Sequence, residues 1–506
     1  MTPQRLGSTT KARGTALRAT ALLALLVLAA CASTHGLKPQ AAVTGADSLA
    51  ASRALGDTGT DPAAWPSPNW WARFGDPQLD RLISEGLAGG PSLKVAAARA
   101  RQASALADAA ASTRSPRVDS SLSATRERFP ARALIPPPYA GGWGTLDQLQ
   151  ATLSWDLDFW GKNRATFEQA LGQARAAAVD AQAAQLALSV DIAHAYVQLT
   201  RAYLQLDVAR ATVDQRERIF ALTRDRNAAG IDSRLELKQA EAAVPAAREQ
   251  VAQLNETIAL TRDQIAALIG QGPDRGLAIE RPAAMVGADA VLPSRVPSQL
   301  LGRRPDIVAQ RWRVEAARRG IDVAQTQFYP DVNLTAFVGF QSLGTSGFLG
   351  LGNRELAVGP ALSLPLFDAG QRRANLAAAD AQYDVAVEQY NQTLSDALRE
   401  VVDQLSSFSS LSQQRSEQQQ ALAASREAYD LAVLRYREGV GNYLQVLSAE
   451  APLLAQQSLE VDLRSRALDL SINLVRALGG GLQEAPAPQV SAAPEIASTL
   501  RPRSTP

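Results

Sequence analysis

The chain has 506 residues, with 51 Lys and Arg set against 50 Asp and Glu for a formal net charge of +1, so no basic field points to a nucleic-acid partner. A single cysteine excludes a disulfide framework and a cysteine-built metal cluster, and two histidines, His35 and His194, are too few for a histidine metal site or a His-rich catalytic centre. Past the first 30 residues no run of 18 apolar residues occurs, which excludes a helical membrane protein. Aromatics are only 5%, low for several packed cores, while Ala, Leu, Gln and Arg recur in long blocks without Gly or Pro. The expectation is a mainly helical chain with some strand.

Arg5, Lys11, Arg13 and Arg18 precede an apolar run from Ala21 to Leu28 that ends at Ala29 and Ala30, before Cys31. This is the pattern of a secretory signal, assigned to residues 1–30. Leu28-Ala29-Ala30-Cys31 also resembles the bacterial lipobox, which implies a covalent lipid on Cys31. Residue 32 is Ala rather than the Asp associated with inner-membrane retention, so the resemblance favours the outer membrane. Residues 31–62 are rich in Ala, Gly, Ser, Thr and Asp without apolar periodicity, and read as a lipidated flexible tether. Residues 483–506, rich in Pro and Ala, read as a disordered tail.

Between these ends the chain repeats itself. Gly161-Lys162-Asn163-Arg164-Ala165 aligns with Gly370-Gln371-Arg372-Arg373-Ala374, Gly230 with Gly439, Leu235 with Leu444, and Gly270 with Gly479, all at an offset of 209. A first repeat over 63–270 and a second over 303–482 are joined by a connection at 271–302. Each reads as helix, strand, strand, very long helix, turn and helix. Pro91 and Pro305 sit where Pro favours a helix start, and the helices end before Pro116 and Pro330.

Strands are expected at about 118–128, 146–157, 331–341 and 355–366. Leu149, Ala151, Leu153 and Trp155 alternate with Gln148, Gln150, Thr152 and Ser154; Val332, Leu334, Ala336, Val338 and Phe340 share one face. Such period-2 runs of about ten residues fit membrane strands with an apolar outer and a polar inner face. Pro360 counts against a regular central strand. Long helices are expected over 161–229 and 370–438, each about 100 Å long. Gly230 and Gly439 mark the hairpin turns, with a capping box at Ser233 to Glu236. The return helix from Arg234 and the helix from Pro305 are expected to stack end to end. The helix from Pro91 is expected above the one from Tyr443.

Four strands facing lipid would leave unpaired edges, which hydrocarbon does not permit, so other copies must close the wall. Two copies give eight strands and three give twelve; physics alone leaves both open.

Several segments then resemble a known family. They are Trp70-Trp71-Ala72-Arg73-Phe74-Gly75-Asp76-Pro77, Leu157-Asp158-Phe159-Trp160-Gly161, Leu301-Gly302-Arg303-Arg304-Pro305-Asp306-Ile307, Pro365-Leu366-Phe367-Asp368-Ala369-Gly370 and Ala477-Leu478-Gly479-Gly480-Gly481. The chain resembles the TolC-like outer membrane factors, in the NodT-type lipoprotein branch. The resemblance implies a homotrimer with a twelve-strand outer-membrane β-barrel continuing into a periplasmic α-helical barrel. It implies docking to a periplasmic adaptor (membrane fusion) protein and an inner-membrane resistance-nodulation-division pump. The function implied is that of a passive efflux duct, lipid-anchored in the outer membrane and exporting small molecules.

No enzymatic activity, cofactor or metal is expected. His194 reads as a packed or hydrogen-bonded helix residue. The hairpin ends are the candidate periplasmic gate, with Tyr443, Leu444, Ser448 and Leu235 as its residues. Relatives show Gly-Val-Asp-x-Tyr-Leu followed by Asp and Arg, whereas Gly439-Val440-Gly441-Asn442-Tyr443-Leu444 is followed here by Ser448 and Ala451. The alternative for Tyr443 and Leu444 is simple packing of the hairpin end. Alternative functions are a type I secretion or other pump channel, or a non-pore helical periplasmic scaffold lipoprotein.

Overall fold

A computed structural model describes residues 34, 36–45, 48–50, 53, 65–132, 135, 137–283, 285, 302–365 and 367–481. The signal segment, Cys31, most of the connection beyond 283 and the tail lie outside the described residues.

A 3₁₀ turn at Trp70–Phe74 leads into α1 (Pro77–Gly89) and α2 (Pro91–Ser112), both begun by proline. Strands β1 (Arg117–Arg128) and β2 (Trp143–Asp156) follow, then the 67-residue α3 (Lys162–Ala228) and its return helix α4 (Arg234–Leu268). A short α5 (Pro273–Leu277) precedes the second copy: α6 (Pro305–Thr326), β3 (Asp331–Leu343), β4 (Arg354–Ser363), the 67-residue α7 (Gln371–Arg437) and α8 (Tyr443–Ala477). β4 stops two residues before Pro365, which has no N–H to give a ladder.

The strand pairs of the two copies merge into one antiparallel sheet in the order β1-β2-β3-β4. The register runs Val118↔Leu153, Leu153↔Ala336 and Ala336↔Val358, so the apolar positions of all four strands share a face. Ser121, Gln150, Gly339 and Glu355 line up on the other. The apolar face is uncovered: Leu122, Leu356, Val358 and Leu362 are each at least 70% exposed. Pro360 lies in β4, an edge strand of this sheet, which is where proline is tolerated.

The stacking of the shorter helices differs from the sequence expectation. The end of α4 meets the start of α2, because a Cβ on Gly270 would lie 2.8 Å from Cδ of Pro91. The end of α8 meets the start of α6, where a Cβ on Gly479 would lie 2.2 Å from the Arg303 carbonyl oxygen, and Arg304 Nη1 donates to the Ala477 carbonyl at 3.1 Å. Each column therefore joins two helices of one repeat. The long connection leaves the choice of stack open, and glycine at the helix ends allows the close approach that settles it.

The main core is at mid-height. There Phe74, Leu79, Leu82 and Ile83 pack on Ile192, Tyr196 and Leu199 of α3 and on Ile265 and Ile269. Asp76 caps α1 through the Gln78 and Leu79 amides and accepts from the Tyr196 hydroxyl at 2.7 Å and the Ala283 amide at 3.2 Å. This ties the first part of the connection to the middle of the molecule.

Part of the expected tether is not free. Residues 36–45 lie along α7, where the Asp384 carboxylate accepts from the Gln40 and Ala41 amides, both at 2.9 Å. Asn391 accepts from the Thr44 amide at 2.8 Å and donates to the Ala42 carbonyl at 3.0 Å. Polar side chains on α7 satisfy the strap's backbone, and Leu37 and Leu49 add apolar anchors that composition alone did not reveal.

Candidate functional site

The two long hairpins end side by side, opposite the sheet. Gly230 (φ +73°) and Gly439 (φ +79°) adopt the left-handed conformation that ends α3 and α7. Ser233 caps α4 in a capping box, its amide donating to Glu236 Oε2 at 2.9 Å while its hydroxyl accepts from Leu235 N at 3.1 Å. Asn442 caps α8 by accepting from Gln445 N at 3.0 Å.

The candidate gate residues divide. Leu235 and Leu444, equivalent in the two copies, are 64% and 67% exposed, and Ile231 and Val440 beside them are exposed too. Ser448 sits one turn above Leu444 and donates back to its carbonyl at 2.8 Å. Tyr443 is 2% exposed within a single copy. Its ring lies 6.1 Å from that of Tyr436 in a cluster with Ala240, Tyr429, Val446 and Leu453. Tyr443 therefore packs the hairpin end, where the neighbouring helices enclose its ring.

Sequence reasoning missed the polar group that joins the hairpins here. Arg226 pairs with Asp232 at 2.9 Å, both side chains at most 10% exposed, and its Nη1 donates to the Tyr436 carbonyl at 2.8 Å. The Tyr436 hydroxyl bonds to both Asp232 and Thr223, and the guanidinium lies over the Tyr436 ring, 4.5 Å from its centroid. Burial pushes the Asp232 pKa up, but hydrogen bonds from Arg226 and Tyr436 and the Arg226 charge outweigh it, holding the carboxyl below its usual range. The Tyr436 phenol is pushed up to about 12, first by burial and then by its bond to Asp232. One signal was available: Arg226 stands four residues before Gly230, and Arg435 four before Gly439. The carboxylate has no counterpart in the second copy, where Gly441 occupies the place of Asp232.

Further polar rungs climb the seam between α3 and α8. Arg216 pairs with the buried Glu450 at 3.0 Å, and Arg201 with Asp462 at 2.8 Å. His194 bonds to Asp469 at 2.7 Å and Asn473 at 3.1 Å, so it serves the seam. Among the described residues no group of His, Cys, Asp and Glu could hold a metal ion, and no helix is long and apolar enough to cross a membrane. The arrangement links the two hairpins side by side and leaves their ends apolar and uncovered.

The sequence matches the outer membrane efflux protein family over residues 82–271 and 296–480. It is 40% identical over 369 residues to the fusaric acid resistance protein FusA of Burkholderia cepacia, covering 72% of this chain and 69% of that one. It is 31% identical over 433 residues to the multidrug resistance outer membrane protein MdtP of Escherichia coli K12, covering 84% and 88%. The crystal structure of the outer membrane protein VceC from Vibrio cholerae superposes with a TM-score of 0.77 at 39% identity, over 83% of this chain and all of that one. Long helical hairpins, a four-stranded sheet with an exposed apolar face and these matches agree: the chain belongs to the outer membrane efflux protein family and is an outer-membrane channel component of an efflux system.

Proposed function

We propose that three copies close a twelve-stranded barrel in the outer membrane and extend it as a helical tunnel through the periplasm. The duct is passive. Its energy comes from an inner-membrane resistance-nodulation-division pump reached through a periplasmic adaptor, and a lipid on Cys31 holds each copy to the membrane. The observation that carries this reading is the sheet, whose apolar face is exposed and whose edges, β1 and β4, have no strand partner among the described residues. Neither is tolerable in hydrocarbon unless neighbouring copies pair the edges. The same sheet disfavours a non-pore scaffold, and relatives named for multidrug resistance favour efflux over protein secretion.

The hairpin ends form the periplasmic gate, with Leu235 and Leu444 narrowing the passage and Ser448 above them. The Arg226–Asp232–Tyr436 group holds the hairpins together in the closed state. Exposed Ile231 and Val440 at the turns offer the adaptor an apolar contact. Native mass spectrometry of the detergent-extracted protein, paired with conductance in planar bilayers, tests the reading. Trimers with discrete channel steps are expected, and a monomer without conductance would overturn it.

A further inference from the structure

The sheet separates charge between its two faces at its upper end, the end away from the helices. Arg126 and Arg128 share the apolar face with Leu122, and Arg354 shares it with Leu356 and Val358. Their chain neighbours Glu127 and Glu355 fall on the opposite face with Ser121 and Gln150. All three arginines are exposed, and among the described residues none of them is paired with a carboxylate; Arg128 Nε donates to the Gly141 carbonyl at 3.5 Å. The loops above them, 129–142 and 344–353, contain no Asp or Glu. Asp147, on the arginine face opposite Ala124, is 4% exposed, so its carboxylate is withdrawn from the surface. The lower end of the same face carries Val118, Leu153, Leu334 and Leu362 instead.

Two tryptophans set the height of this basic group. Trp143, opposite Arg128, is 65% exposed. Trp155, on the same face, is 37% exposed, and its indole N–H donates to the Arg114 carbonyl at 3.2 Å. The stretch of β2 between them runs about 40 Å along the strand, which at a tilt of about 45° is about 29 Å of height, the thickness of a hydrocarbon core. Indoles at that spacing suit the two membrane interfaces, and the arginines then stand among the outer headgroups. In the ring proposed above, β1 of one copy meets β4 of the next. Pairing Ser121 with Gly359 sets Arg126 directly opposite the Arg354 of the neighbouring copy, and pairing it with Ala357 makes them diagonal neighbours about 7–8 Å apart. Like charges so placed repel, and an anion seated between them turns repulsion into attraction.

We propose that each seam between copies binds the phosphate of an outer-leaflet glycolipid through Arg126 and Arg128 of one copy and Arg354 of the next. Guanidinium forks match pairs of phosphate oxygens. The exposed row of Leu122, Leu356 and Val358 below them takes the acyl chains. The inference rests on the proposed trimeric barrel, and the lipid fastens one copy to the next.

The test is native mass spectrometry of the full-length protein released from detergent micelles. It is titrated with lipid A, with lipid A stripped of its phosphates, and with phosphatidylglycerol. Trimers taking up to three molecules of lipid A are expected, with the other two lipids bound about tenfold more weakly, and Arg126→Gln combined with Arg354→Gln should weaken lipid A by about tenfold, the effect of losing charge-assisted hydrogen bonds. Equal binding of the dephosphorylated lipid, or undiminished affinity in the double variant, overturns the phosphate seat. Equal binding of phosphatidylglycerol overturns the glycolipid as its occupant. Arg128→Gln, at the strand end, carries the same test with a smaller loss where the double variant does not assemble, and an unchanged affinity there also overturns the seat. A trimer that takes no lipid A overturns the seat and leaves the assembly standing, whereas a monomer overturns the assembly on which the seat rests.

Discussion

Asp232 carries the most consequential single carboxylate at the hairpin ends. Its replacement, Asp232→Asn, leaves the Arg226 guanidinium buried without a counter-charge, and breaking such a pair costs about 3–5 kcal/mol. The hairpin ends should loosen, raising both bilayer conductance and hydrogen exchange around Tyr436. The same group sets a pH window. The depressed Asp232 pKa contributes stability that is full above its unfolded value of about 3.9 and is lost as pH falls through the folded value. The raised Tyr436 pKa contributes stability that is full below about 10 and is lost as pH rises through about 12. Closed-state conductance should therefore be flat from about pH 5 to 9 and rise at either extreme; a rise centred near neutrality would sink this account. Leu444 tests the apolar half of the proposed gate: Leu444→Ala should raise leak conductance without changing assembly, and unchanged leak would remove it from the proposed constriction. These residues were unequally legible. Leu235 and Leu444 stood out as repeat equivalents. For Tyr443 the sequence left gate and packing both open, because burial by neighbouring helices leaves no trace in a short motif.

At the scale of elements, the interior of α3 holds one glycine, and the structure gives the reason. A Cβ on Gly172 would lie 2.9 Å from Cβ of Ala316, so glycine allows α3 and α6 to touch. Gly172→Val should cost about 1–3 kcal/mol through overpacking, read as a lower unfolding temperature of the assembly. An unchanged temperature would mean the two helices separate freely. The helices, their proline starts and their glycine ends were readable because capping and backbone geometry are local. The stacking of α2 on α4 and of α6 on α8 was not. It depends on which helix ends meet across a long connection, and no local pattern encodes that.

At the scale of the whole molecule, the proposed assembly predicts that β1 of one copy meets β4 of the next. Ser121→Cys combined in turn with Glu355→Cys, Ala357→Cys or Gly359→Cys should give disulfide-linked dimers and trimers on denaturing gels. Failure at every register would count against edge pairing. The duplication, the kind of each element and the amphipathic character of the strands were legible along the chain, because repeat offset, period and capping are properties of sequence neighbours. Which helix ends stack, the enclosure of Tyr443, the convergence of Arg226, Asp232 and Tyr436, and the course of residues 36–45 along α7 emerged from the folded chain alone. Each of these joins groups distant in sequence, and such contacts follow from packing in three dimensions.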